Sequence, residues 1–255
     1  MKRAQRILCV DDEDFNLDLL ETLLTPRGYE TVTALNGREA LDILSRKAVD
    51  LVLLDVNMPV MNGIELCSRI KADPQLRHIP VIMITSLDSQ GNRMKGMEAG
   101  AEEFLSKPYD QAELLLRIGN LLRTAEYEDA FEYLILALAR AAEANDIDTG
   151  NHILRVAEYA ALVARELGQS EKFIESIHSQ ATLHDVGKVH VSSHILKKPA
   201  RLTDEEMEEM KLHTTFGAVI IGDHPHLEMG RRIALCHHER WDGTGYPKGL
   251  KGEEI

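Results

Sequence analysis

The chain is short of positive charge, of cysteine and of long apolar runs. Lysine and arginine number 29 against 42 aspartates and glutamates, a formal net charge of −13. Such a balance argues against broad binding to the phosphate backbone of DNA or RNA, which needs a basic face. It leaves room for a small anionic ligand held by metal ions. The three cysteines, Cys9, Cys67 and Cys236, are scattered and odd in number. They read as reduced thiols of a cytoplasmic protein, not as a disulfide frame. The longest apolar helix patch, Tyr133 to Ala139, falls far below the ~20 residues that span a bilayer. The opening MKRAQRILCVDDED turns acidic after only Ile7 to Val10, so it does not read as a secretory leader. Neither membrane nor nucleic acid is therefore expected as a partner. Histidine is almost missing from the first half, because of eleven only His78 precedes residue 150. Any imidazole chemistry belongs to the second half. With 44% hydrophobic and 28% charged residues over 255 positions, the chain fits one large folded domain or two modest ones.

The first half alternates short apolar runs with amphipathic stretches. The runs are Arg6–Val10, Glu30–Ala34, Leu51–Leu54, Val81–Ile84 and Glu103–Leu105. Helical patterns cover Asn16–Thr25, Gly37–Arg46, Gly63–Lys71, Ser89–Ala99 and Gln111–Leu122. Five such β-α units predict a parallel sheet with helices on both faces, its site outside the carboxyl ends of the strands. The polar residues stand at those ends: Asp11 and Asp12 after the first strand, Asp55 after the third, Thr85 in the fourth and Lys107 after the fifth. Clustered carboxylates repel one another unless a cation or a lysine offsets them. An all-oxygen cluster suits Mg²⁺, and Asp55 beside it becomes an oxygen nucleophile able to accept a phosphoryl group.

Residues 1 to about 123 resemble a response-regulator receiver domain, an α/β flavodoxin-like fold with a five-stranded parallel sheet. The match is carried by Asp11-Asp12, by Asp55 in LLDVNMPVMNG, by Thr85 in VIMITS and by Lys107-Pro108 in FLSKPYD. The resemblance implies that Asp55 is the phosphoacceptor and that a sensor histidine kinase is the partner. Asp12, Asp55 and the carbonyl of Asn57 would ligate Mg²⁺, with Asp11 supporting it through water. Thr85 and Lys107 would hold the phosphoryl oxygens, Phe104 would fill the aromatic switch position, and the Lys107-Pro108 bond would be cis.

From Asp110 to Ala144 there is no proline. Leu115, Ile118, Leu122, Phe131, Leu134, Ile135 and Leu138 recur at helical spacing, so the last receiver helix is expected to run on through a connecting segment, residues 124–150. Its apolar stripe suits a coiled-coil homodimer as well as a helix packed on its own domain.

The second half reads as nearly all helix. Asn151–Leu167 turns Ile153, Val156, Ala157, Ala160, Val163 and Ala164 to one side, and Ser170–Leu183 delivers His184-Asp185. Thr203 starts a helix with acids in its first turn, Lys211–Ile221 forms another stretch, and Gly230–Glu239 leads to His237-His238. The donors in order are Asp148, His152, His184, Asp185, His213, His237 and His238. Imidazole beside carboxylate suits iron, manganese or zinc. Seven such donors exceed one tetrahedral site but suit two or three ions sharing a carboxylate.

HDVGK followed by HHERWDGTGYPKGL resembles the HD-GYP family, the cyclic di-GMP phosphodiesterase branch of the all-α HD superfamily, over about residues 125 to 255. The resemblance implies that His152, His184, Asp185, His213, His237 and His238 ligate metal and that Asp185 bridges two ions. Asp148 stands where trinuclear relatives carry a glutamate. Lys188 would contact the scissile phosphate, and Gly245-Tyr246-Pro247 the nucleotide or a GGDEF-type partner. No residue corresponds to the further metal-ligating aspartate that family members carry beyond the matched region, so the domain reads as C-terminally short. The functional expectation is a response regulator in which phosphorylation of Asp55 controls hydrolysis of cyclic di-GMP to the linear dinucleotide or GMP. The alternatives are an output module that binds cyclic di-GMP or a GGDEF-type partner without cleaving it, and hydrolysis of another cyclic dinucleotide.

Overall fold

The apolar runs of the first half pair as five parallel strands: β1 (Arg6–Val10), β2 (Glu30–Ala34), β3 (Leu51–Asp55), β4 (Val81–Ser86) and β5 (Glu103–Lys107), in the order β2-β1-β3-β4-β5. This computed structural model describes residues 3–86, 90–143 and 151–255. The chain divides into two compact units, residues 1–128 and 129–255.

In the first unit the strands alternate with α1 (Asp14–Leu24), α2 (Gly37–Leu44), α3 (Gly63–Ala72), α4 (Gln90–Glu98) and α5 (Gln111–Glu143). Successive side chains of a strand point to opposite faces. Leu8, Val10, Val52, Leu54 and Met83 therefore pack with α2 and α3, while Ile7, Cys9, Leu51, Leu53 and Ile82 pack with α1 and the start of α5. Each fully buried leucine or isoleucine stabilises the fold by about 1.5–3 kcal/mol. The order reverses between β1 and β3, which opens a crevice at their carboxyl ends, the place where such sheets bind ligands. Burial in these cores pushes the thiols of Cys9 and Cys67 up to about 12, and Cys236 is also buried and raised. We expect all three thiols to resist a disulfide reagent at pH 8 until denaturant is added; stoichiometric labelling of the folded protein would contradict this burial.

The expected helix after β5 is one element of 33 residues. Its early residues Leu114, Ile118 and Leu122 belong to the core of the first unit. Ile135, Ala139 and Ala142 join the core of the second, with Ile153, Leu183, Val186, Ile221 and Ala234. The apolar stripe read from the sequence splits here: Ile135 is buried, whereas Phe131, Leu134 and Leu138 are exposed.

The second unit continues with α6 (Asn151–Glu166), α7 (Glu171–Gln180), the short α8 (Ser193–Leu196), α9 (Asp204–Ile221) and α10 (Glu228–Cys236). Ser170 caps α7 by accepting from the Phe173 amide, and Thr203 with Glu206 forms a reciprocal capping box on α9. Such caps satisfy amides that the first turn leaves unpaired. Two expectations are corrected. The two stretches read between Thr203 and Ile221 are one helix, with His213 in its interior instead of near its start. Val163, read onto the inner side of α6, faces solvent while Ala161 is buried, and in α9 the row His213, Thr214, Gly217 and Ile221 is buried. The row follows the 3.6-residue period, which places polar His213 and Thr214 inward despite their chemistry. Among the described residues, no helix is long and apolar enough to cross a membrane.

Candidate functional site

At the crevice of the first unit, Asp11 follows β1, Asp55 ends β3 and Lys107 ends β5. The Lys107 ammonium lies 2.6 Å from Asp55 Oδ1 and 2.8 Å from Asp11 Oδ2. The Asn57 amide donates to Asp55 Oδ2 at 2.6 Å, and Asn16 Nδ2 donates to Asp11 Oδ1 at 2.9 Å. Burial pushes the Asp55 carboxyl up, and the Lys107 ammonium opposes that shift. Burial also works against the Lys107 charge, but Asp11 and Asp55 outweigh it and hold the ammonium above its ordinary range. Thr85 is buried beside this edge, Phe104 is buried near Met83 and Gly96, and Asp12 is exposed. The Lys107-Pro108 bond is cis, as expected. A side chain at Gly63 would collide with the carbonyl of Asp55. Only glycine lets α3 start directly behind β3.

A second cluster lies within the helical unit. A 3₁₀ turn at Ala181–Leu183 follows α7 and presents His184 and Asp185, both buried. His213 comes from the interior of α9, His237 and His238 from the end of α10, and His152 from the start of α6. The ring Nδ1 atoms of His184, His213 and His237 lie 3.0, 2.6 and 3.0 Å from the carbonyls of Ala181, Met210 and Ala234. A carbonyl only accepts, so each Nδ1 carries the proton and donates it. The Nε2 lone pairs then point into the cluster.

There they meet other acceptors. His213 Nε2 is 3.2 Å from His237 Nε2, and both lie 3.4 Å from Asp185 Oδ1. That oxygen is buried and makes no hydrogen bond. Three lone-pair groups around one point need a cation, and the donor set fits a divalent metal. Asp185, His213, His237 and His238 form one group whose ligand atoms are mutually within 4.8 Å, and His152, His184 and Asp185 form a second. Asp185 belongs to both.

The electrostatics agree. Burial acts to raise the Asp185 carboxyl, but His184, His237 and Lys188 hold it far below the ordinary carboxylate range. Burial lowers His213, and partial burial with the nearby His237 and His213 pushes His238 down to about 4. Both rings are therefore neutral ligands at neutral pH. Burial also works to lower His184, but its contact with Asp185 Oδ2 at 3.1 Å prevails and raises it.

Residues 7–119 match the response regulator receiver domain, and residues 135–255 match the HD domain. Over 98% of its length the chain is 36% identical to a cyclic di-GMP phosphodiesterase of Thermotoga maritima, of which it covers 75%. The chain belongs to that family. It is 33% identical to a probable cyclic di-GMP phosphodiesterase of Vibrio cholerae over 98% of this chain and 65% of that one. It is 36% identical to the cyclic di-GMP phosphodiesterase response regulator RpfG of Xanthomonas campestris over 85% of this chain and 64% of that one.

Within this receiver–HD response regulator, six of the seven donors named from the sequence meet in one place; Asp148 lies outside the described residues. Lys188 Nζ is 3.0 Å from Asp185 Oδ2. Tyr246 stacks on His238 with ring centroids 4.6 Å apart, and the Tyr246-Pro247 bond is cis. The other histidines lie apart from both groups: His78 and His194 are exposed, His178 is 3.3 Å from Glu158, His190 stacks on Phe216, and His224 stacks on His226.

Glu143 is the residue that sequence reasoning missed. It is buried at the end of α5, within electrostatic reach of His152, His184 and Asp185. The available signal was its spacing, four residues after Ala139 on the buried row of Ile135 and Ala139.

Gly187 sets the approach of α9. A Cβ there would fall on the backbone carbonyl of His213. Gly187→Ala is expected to destabilise the HD domain by about 1–3 kcal/mol and to weaken metal binding. Calorimetric unfolding and metal analysis of the variant check both, and unchanged values would mean that α9 yields freely.

Proposed function

We propose that this chain is a phosphorylation-controlled, metal-dependent phosphodiesterase that opens cyclic di-GMP to the linear dinucleotide. The observation that carries the reading is one buried carboxylate, Asp185, shared by two histidine groups. A carboxylate shared in this way would suit a pair of divalent cations. Iron, manganese or zinc suits these nitrogen and oxygen donors. Divalent cations bound there would supply charge to the phosphoryl oxygens and lower the pKa of water. His213, His237 and His238 would hold one ion and His152 and His184 the other, with Asp185 available to both. Asp148 is assigned to the same site as a third-ion or supporting ligand.

Lys188 stands beside Asp185 and offsets the charge that grows on a non-bridging phosphoryl oxygen. Tyr246, stacked on His238, offers a π-face to a guanine base, with Gly245 and Pro247 shaping the loop. In the reaction the oxygen of water bonds to phosphorus in line, and the P–O3′ bond breaks. The 3′-oxygen leaves with the electron pair and takes up a proton.

In the receiver, a sensor histidine kinase is the phosphoryl source and Asp55 the acceptor. Asp12, Asp55 and the Asn57 carbonyl would hold Mg²⁺, supported by Asp11. Thr85 and Lys107 hold the phosphoryl oxygens, and Phe104 reports the change. The output passes along α5, which contributes to both cores. The exposed Phe131, Leu134 and Leu138 suit a homodimer contact, and the loop of Tyr246 suits a GGDEF-type partner.

The test is anaerobic purification, measurement of bound iron, manganese and zinc, and a cyclic di-GMP turnover assay of the wild type and His184→Ala. Turnover that requires metal and is lost in the variant supports the reading. Metal-free protein that binds the nucleotide without cleaving it replaces the enzyme with a binding module.

A further inference from the structure

The two histidine groups that share Asp185 are unequal. One has four members, Asp185, His213, His237 and His238, and the other three, His152, His184 and Asp185. Three protein ligands leave a zinc-like ion at least one position for water or a further donor. Glu143 stands next to it. Its side chain is 6% exposed, and Oε2 is buried with no hydrogen-bond partner among the described residues. Ionised carboxylates are almost never left in that condition unless they are paired or coordinate a metal. Burial raises its carboxyl; His152, His184 and Lys188 act through space to favour its charge, and Asp185 opposes it. His152, His184 and Asp185 are the members of the short group.

We propose that Glu143 is a working carboxylate of the second cation's site, supporting the His152, His184 and Asp185 set through one water, since its carboxylate stands outside the two groups whose ligand atoms lie within 4.8 Å of one another. The inference rests on the two-cation reading above and extends it to a residue on another helix. Glu143 ends α5, whose preceding turn packs Ala139 and Ala142 into the same core. The carboxylate is therefore placed by rigid helix and not by a loop. With Asp185 it brings a second negative charge to the group, which favours a divalent over a monovalent ion. Removing a carboxylate that supports ligands in this way commonly weakens metal binding by about 10–100-fold.

The experiment is a titration of the metal-stripped full chain with Mn²⁺ alone, read by calorimetry and by metal content after desalting. The wild type is compared with Glu143→Gln and Glu143→Asp. Glutamine keeps the shape and hydrogen-bonding capacity and removes the charge, so the fold is expected to persist, with unchanged circular dichroism. The expected result is two manganese equivalents in the wild type and one in Glu143→Gln, or a second equivalent weakened at least tenfold, with partial recovery in Glu143→Asp. The tight first equivalent should remain, because His213, His237 and His238 are untouched. Two equivalents of unchanged affinity in Glu143→Gln overturn the proposal and leave Glu143 a buried acid that only packs. A wild type that binds no manganese overturns the two-cation reading itself, which is a different failure.

Discussion

Asp185→Asn is expected to lower cyclic di-GMP turnover by about 10²–10³-fold or more, the usual cost of removing one preorganised charged group from a reacting centre. It should also strip the protein of most of its metal. Asparagine has nearly the volume of aspartate, so packing is conserved and the loss reports charge. The carboxylate is the single residue common to both histidine groups, and its Oδ1 lies 3.4 Å from the Nε2 atoms of His213 and His237. Oδ2 lies 3.1 Å from His184 and 3.0 Å from Lys188. An amide would present an N–H or a weaker carbonyl where a bound cation would need an anionic oxygen, and it could not serve both groups with charge. Metal analysis together with single-turnover kinetics separates the effects. Full metal content with lost turnover would mean that Asp185 acts on the substrate instead of on the ions.

The second large effect belongs to the receiver. Lys107→Met leaves Asp11 and Asp55 facing each other without the ammonium that now sits 2.8 and 2.6 Å from them. Their side chains are only 5% and 9% exposed. Breaking such a pair by removing one partner costs about 3 kcal/mol, somewhat less here because Lys107 is 28% exposed and water screens it. The sign with pH follows from Asp55, whose carboxyl burial already raises even with Lys107 present. A carboxyl with a raised folded-state pKa favours the fold when protonated, and that contribution fades as pH rises through the raised value. The penalty of Lys107→Met is therefore largest at neutral pH and shrinks on acidification toward the carboxyl range. Amide exchange protection of β1 and β3 at the two pH extremes measures it, and added Mg²⁺ should restore part of the lost protection at neutral pH. An equal loss at both pH values would assign the role of Lys107 to packing of its aliphatic stem.

The five strands were readable because a two-sided buried strand is a continuous β-branched or leucine run, and the positions of Asp11, Asp55, Thr85 and Lys107 at strand ends came with them. The histidine set was readable from HDVGK and from the His237-His238 pair. Glu143 was not, because an acid at a helix end after two alanines looks like any solvated residue. Its burial depends on the helices that pack around it. Val163 was misplaced for the converse reason: an apolar side chain does not announce that its helix face is turned to water. The division of α5 between Ile135 inside and Leu134 outside was equally hidden, since adjacent leucine-like residues differ only in angle.

Periodicity and motif spacing by themselves determined the two domain types and the order of the elements, and motif resemblance singled out Asp55 and most of the donors that the fold brings together. These are local properties of the chain. The tertiary structure decided that Asp185 is shared by two groups, that three imidazoles turn Nε2 inward because helix carbonyls hold Nδ1, and that Glu143 is buried beside them. Each of those facts depends on distances between segments far apart in sequence, and packing alone sets them.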